Sequence, residues 1–110
     1  RALLDAHFRE RWAVERYARS LGVTAGQLGR LTRELLGMST SGAINARVLH
    51  EAQRELVYST LSIKQVAAEL GFDDEAYFGR FFKKHGGATP TEFREAGRRR
   101  LAAASVKPSR

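Results

Sequence analysis

SIKQVAAELGFDDEAYFGRFFKK, residues 62–84, is the stretch that decides the fold. Ser62 and Gln65 stand at capping-box spacing, so a helix opens there: the hydroxyl accepts from the N–H three residues on, and the amide oxygen accepts from the cap's own N–H. Val66, Ala67 and Leu70 give that helix an apolar face. Gly71 ends it, since glycine takes the left-handed conformation of a helix terminus without steric cost. Asp74 then caps a second helix at about 75–85, with Phe78, Phe81 and Phe82 on its inner side. Ala67 is the small residue needed where the second helix crosses the first, and Leu70 plugs the corner beneath the turn. The result is a helix, a tight turn and a helix.

The same pattern stands upstream. Val14, Tyr17, Ala18, Leu21 and Gly22 recur 49 residues later as Ile63, Val66, Ala67, Leu70 and Gly71. Thr24, Leu28, Gly29, Arg30, Leu31, Arg33 and Gly37 recur 50 residues later as Asp74, Phe78, Gly79, Arg80, Phe81, Lys83 and Gly87. The offset slips by one inside the turn. The first copy therefore predicts a helix at about 12–21, a break at Gly22, and a helix capped by Thr24 and Gln27 that runs to about Gly37. Leu21 should plug its corner, and Leu28, Leu31 and Leu35 should face its core. Any two packed helices resemble one helix-turn-helix, but two copies matched in alanine, glycine, cap and basic positions are a specific signal.

Outward from these units, Leu3, Leu4 and Phe8 place an amphipathic helix at about 2–10. Ser39, Thr40, Ser41 and Gly42 mark a turn into a longer helix, about 42–58, striped by Ile44, Val48, Ala52 and Leu56. Thr89, Pro90 and Glu92 supply cap, first-turn proline and capping-box partner for a short seventh helix, about 90–98. The fold expected is all-α: seven helices in two helix-turn-helix subdomains, 1–40 and 59–98, joined by a linker helix, 41–58. Residues 99–110 should form a mobile basic tail, because 101–110 lacks large apolar side chains to offset ordering entropy. Arg98, Arg99 and Arg100 read either as a solvated helix end or as a phosphate contact, and Arg47 and Arg54 on the linker read either as solvated charges or as phosphate contacts.

Nineteen Lys and Arg against twelve Asp and Glu give a net charge of +7, which favours an anionic partner, nucleic acid before an acidic membrane surface. With no cysteine, disulfides and thiolate metal sites are excluded. No apolar run approaches the roughly 20 residues of a membrane span and no secretory signal is present, so a cytoplasmic protein is expected. The chain opens on Arg1, which suggests a piece of a longer protein. His7, His50 and His85 fall in different helices without metal-ligand spacing. His85 either ends its helix favourably or packs against it. Glycine-rich phosphate loops, nucleophile elbows and carboxylate constellations are missing, so neither an enzyme nor a cofactor is expected. Asp73, Asp74 and Glu75 read as turn and cap chemistry.

The outward faces carry the function. Gly26, Gly29, Arg30 and Arg33 line one side of the third helix, and Ala76, Gly79, Arg80 and Lys83 line the sixth in the same arrangement. Each stripe holds small residues around one arginine, with a second base one turn later. A guanidinium donates two parallel hydrogen bonds to the O6 and N7 of guanine. Arg33, Lys83 and Lys84 are better placed for phosphates, as are the helix N-termini at Thr24, Gln27 and Asp74. Exposed glycines cost a helix about 1 kcal/mol each relative to alanine. They serve either close backbone approach to DNA or nothing at all. Glu75 either accepts from cytosine N4 or favours the helix dipole. A linker near 25 Å long, at about 1.5 Å per residue, would hold the two stripes about one DNA turn (~34 Å) apart.

From Trp12 to Arg94 the chain resembles the DNA-binding domain of AraC/XylS-type transcription regulators. The resemblance lies in Ser62 to Phe72, in Tyr77-Phe78-Gly79-Arg80-Phe81-Phe82-Lys83-Lys84, and in Thr89-Pro90-Thr91-Glu92-Phe93-Arg94. It implies sequence-specific binding to double-stranded promoter DNA and activation through RNA polymerase. It also implies a ligand-sensing, dimerising domain ahead of this one, the only route to a small-molecule effector. Family base-reading positions fall on Gly26, Gly29, Arg30, Glu75, Ala76, Gly79 and Arg80. Two departures matter: Gly26 and Gly29 have no side-chain donors, so readout by the first unit rests on Arg30, and Thr32 stands where an aromatic is usual. The alternatives are a nonspecific, architectural DNA binder using charge alone, and a helical protein-interaction module.

Overall fold

The computed structural model describes residues 2–105. Within them the chain forms α1 (Ala2–His7), a 3-10 turn (Phe8–Glu10), α2 (Val14–Ser20), α3 (Ala25–Leu36), α4 (Thr40–Tyr58), α5 (Ile63–Glu69), α6 (Glu75–Gly86) and α7 (Pro90–Ser105). The expected caps are in place. Thr24 Oγ1 accepts from the Gln27 N–H at 3.1 Å and Gln27 Oε1 from the Thr24 N–H at 2.8 Å. The Ser62–Gln65 box has the same two distances. Thr89 and Glu92 form a third box, and the Asp74 carboxylate accepts from the Tyr77 N–H at 2.7 Å. Ser39 caps α4 through the Gly42 N–H, so that helix starts at Thr40, slightly earlier than the small-residue run suggests.

The helices enclose two cores of unequal size. The larger gathers Val48, Ala52 and Leu56 of α4 with Val66, Ala67, Leu70, Phe72 and the three inward phenylalanines of α6. Phe8 is also part of it, so the N-terminal segment reaches into the second unit. The smaller core buries Tyr17, Ala18 and Leu28, flanked by half-buried Leu3, Leu4, Trp12, Val23 and Ile44. The molecule is elongated, 56 × 36 × 22 Å, with a radius of gyration of 16.5 Å, against about 13 Å for a compact chain of similar size. The 19-residue α4, about 28 Å long at ~1.5 Å per residue, is the strut behind that shape.

Three sequence expectations are corrected. Leu21, expected beneath the first corner, is 52% exposed, and Leu31 and Leu35, expected in the core, are 42% and 78% exposed. The inward row of α3 is Leu28, Thr32 and Leu36 instead. A narrow core accepts one row of side chains, whereas the wider second core takes both Phe81 and Phe82. Thr32 adapts by donating its hydroxyl to the Gly29 carbonyl at 3.0 Å, with Thr40 Oγ1 at 3.3 Å.

Arg47 is neither solvated nor free for a phosphate. Its Nε donates to Asp5 at 2.8 Å, its guanidinium lies 4.1 Å over the Phe8 ring, and Glu51 stands 3.5 Å away. Glu51 is only 7% exposed and also faces Arg9 at 3.1 Å and Arg54 at 3.8 Å. Arg98 donates to the Ser59 carbonyl at 2.6 Å and Arg94 to the Leu56 carbonyl at 2.7 Å, so α7 satisfies the open end of α4. Burial in that contact lowers the Arg94 pKa.

α7 also outruns its expected end at 98. Gly97 lets it lie against α4, since a Cβ there would stand 2.5 Å from Val57 Cγ2. The Ala102–Ala104 run then continues the helix, because alanine needs no buried face to favour helix. Residues 106–110, the rest of the expected tail, lie outside the described residues.

Candidate nucleic-acid interface

On α3, Gly26, Gln27, Arg30 and Arg33 are exposed and Gly29 is half-buried. On α6, Glu75, Ala76, Arg80, Lys83 and Lys84 are exposed and Gly79 is half-buried. Both units thus present an arginine and a later base outward from a capped helix start. Thr24, Gln27 and Asp74 use their side-chain acceptors in capping, and the Asp74 carboxylate is itself an anion. What they leave for a phosphate is the oriented backbone N–H groups of the first turn. Glu75 occupies the first turn of α6, where the helix dipole favours a carboxylate.

The close ion pairs and the two outward stripes fall on different elements. Among the described residues, the ion pairs involve α1, the 3-10 turn and α4: His7–Glu10, Arg9–Glu51, Arg47–Asp5, Arg47–Glu51 and Arg54–Glu51. Arg30, Arg33, Arg80, Lys83 and Lys84 take part in none of them. Carboxylates thus neutralise Arg9, Arg47 and Arg54 in the framework and leave the cations of the two stripes available to an external anion.

The glycines of the stripes answer to nothing inside the molecule. A Cβ added at Gly29 or Gly79 meets no atom within 4 Å, and at Gly26 only Thr24 Oγ1 at 3.9 Å. Internal packing therefore gives no reason to accept a helix cost of about 1 kcal/mol at such positions. Gly71 is the opposite case: at φ +85° a Cβ would lie 2.3 Å from the Arg9 carbonyl oxygen and 2.7 Å from Arg11 Cγ.

Two of the histidines have structural surroundings. His85 packs its ring against Phe81, centroids 4.7 Å apart, in the last turn of α6. His7 stacks on Trp12 at 4.0 Å, and its Nδ1 lies 2.7 Å from Glu10. The hydrogen bonds from His7 and then Trp12 hold the Glu10 carboxyl below its ordinary range. Among the described residues no group of His, Cys, Asp or Glu has metal-holding geometry, and no helix is long and apolar enough to cross a membrane.

Two residues that sequence reasoning passed over, Arg11 and Asn45, line the dent between α4 and α6 beside Arg80 and Lys84. Far apart in sequence and outside both repeats, they carry no local signal and meet only through the fold.

A family model described as a helix-turn-helix domain matches residues 17–96. The arabinose operon regulatory protein of Escherichia coli is 33% identical over 107 residues, spanning 97% of this chain and 35% of that protein. PqrA of Proteus vulgaris is 33% identical over 84 residues, covering 76% of this chain and 69% of PqrA. The chain therefore spans about a third of the arabinose regulator and somewhat more than two thirds of PqrA. Among solved structures, the DNA-binding domain of AdpA, a global transcriptional factor in complex with a target DNA, superposes with a TM-score of 0.75 at 26% identity, covering 90% of this chain and 93% of that one. With two capped helix-turn-helix units on a shared strut and the match across 17–96, the chain belongs to the AraC-type helix-turn-helix family of transcription regulators.

Proposed function

We propose that this chain reads double-stranded promoter DNA in a sequence-specific way, as the DNA-binding part of a transcriptional activator. α3 and α6 enter two major-groove segments on one face of the duplex. Arg30 and Arg80 each donate a pair of hydrogen bonds to a guanine edge. Gly26, Gly29, Ala76 and Gly79 keep the helix surface low enough for close approach, and Glu75 faces the adjoining base. Arg33, Lys83 and Lys84, with the first-turn N–H groups that the Thr24–Gln27 box and the Asp74 cap leave open, hold the phosphates on either side.

The observation that carries this reading is the pair of matched outward stripes whose cations form no close ion pair among the described residues. A binder using charge alone would need no such match in small residues, arginine and cap. The AdpA domain, solved on a target DNA, supports the same use of the fold. RNA polymerase is the partner that activation requires, in the cytoplasm at the nucleoid. A small-molecule effector would act through a domain outside these residues.

Selection of bound duplexes from a random pool tests the reading. A nonpalindromic motif with two preferred blocks about one helical turn apart is the expected product. Equal affinity for selected and random duplexes at moderate salt would replace it with the architectural alternative.

A further inference from the structure

The junction between the two units holds a cation and an amide that neither stripe uses. Arg11 follows the 3-10 turn at φ +58°, a left-handed conformation uncommon for a residue with a Cβ. Its guanidinium lies 4.3 Å over the Phe72 ring and 5.6 Å from that of Phe81. The close approach of Gly71 to Arg9 and Arg11 locks the same segment. Stacking on Phe72 therefore restricts where the Arg11 charge can go.

Arg11, Asn45, Arg80 and Lys84 border one open dent of about 250 Å³ between α4 and α6. Arg11 and Asn45 also border its neighbour, about 240 Å³, together with Trp12 and Ser41 toward the first unit. The pair thus stands where the surfaces of the two units meet. Arg11, Arg80 and Lys84 are absent from the ion pairs among the described residues. Like charges gathered in one dent repel one another, and a bound anion relieves this. A fixed guanidinium beside an amide and an ammonium suits the oxygens of a phosphate.

We propose that Arg11, Asn45 and Lys84 form a seat for one phosphodiester of the DNA backbone, on the stretch between the two major-groove segments. This rests on the promoter-reading function above. Arg80 addresses a base, and Lys84, one helical turn further along α6, meets the strand as it leaves that groove. A contact there adds affinity without reading sequence and fixes how far apart the two blocks must lie.

The test titrates Arg11→Gln and Asn45→Asp against both the selected duplex and a random duplex over a range of salt. Each substitution should weaken binding to both duplexes about tenfold, the scale of a charge-assisted hydrogen bond. The order of preference among operator variants should not change. Arg11→Gln should also lower the slope of log K against log salt by about 1. Asn45 lies outside both cores, so Asn45→Asp still reports if Arg11→Gln loosens the fold, and Arg11→Lys should recover part of the slope. Wild-type affinity and slope in Asn45→Asp and in a folded Arg11→Gln would overturn the seat. Sequence preference has a separate readout: if the unmodified chain fails to prefer the selected duplex, base reading falls, and the salt slope on the random duplex still decides the seat.

Discussion

The two helix-turn-helix units present nearly the same outer face on very different foundations. In the second, α5 and α6 close over a core of linked aromatic rings, Phe72 against Phe78 at 5.2 Å and Phe81 at 5.1 Å, and Phe82 against Phe93 at 5.5 Å, with Leu70 fully buried. In the first, α2 has Ala13 at its N-cap with no side-chain hydrogen bond, and Leu21 at the corner is half out in solvent. Position 32 is a threonine bonded to a backbone carbonyl where the second unit has Phe82. The lesson is that DNA-facing chemistry and packing are separable: the outer stripe is duplicated, while the stability behind it is concentrated in one copy. Opening free energies vary across a fold in this way, and a thinly packed element opens first.

Truncating the cores at matched positions sharpens that contrast most. Phe82→Ala should cost about 3–5 kcal/mol, the range for a buried aromatic. Thr32→Ala should cost only about 1 kcal/mol, the net worth of its hydrogen bond. Denaturant melts read both, and equal losses would break the contrast. The turn glycines come next. Gly22→Ala should cost about 1–2 kcal/mol from its positive φ alone, since a Cβ there meets nothing within 4 Å. Gly71→Ala should cost distinctly more, because backbone at 2.3 Å must also move.

Substitution on the outer stripes runs the other way. Gly29→Ala and Gly79→Ala should each stabilise the free protein by about 0.5–1 kcal/mol while weakening DNA binding. A gain in both would mean that these glycines serve no contact. The smallest effect is in acid. Hydrogen bonds with Thr89, first from its backbone, hold the Glu92 carboxyl below the ordinary value of 4.5. Its ionised form therefore favours the fold above that pH, and the contribution fades as pH falls through the lowered folded value. Glu92→Gln, matching the boxes at Gln27 and Gln65, should flatten that part of the acid limb of a stability–pH profile and leave neutral pH almost unchanged.

The sequence made the helices legible because their ends are marked chemically: Thr24, Ser62, Asp74 and Thr89 each accept a hydrogen bond from the N–H three residues on, and the turn glycines stop what the caps begin. The outward arginines followed from the same spacing. Local pattern failed where tertiary space decides. Nothing in the string says that the first core is one row wide, so Leu31 looked equivalent to Phe81. Nor does it say that Arg47, Arg94 and Arg98 meet partners far away in the chain. Large apolar residues alone understate the length of α7, because alanines sustain a helix by propensity.

The most direct measurement is an equilibrium titration of the unmodified chain, Arg30→Ala and Arg80→Ala against selected duplexes in which single guanines are replaced. Each substitution should cost about 1–3 kcal/mol and erase base preference in its own block alone. A uniform loss across all duplexes, or no loss from either change, would show that these arginines do not read the grooves.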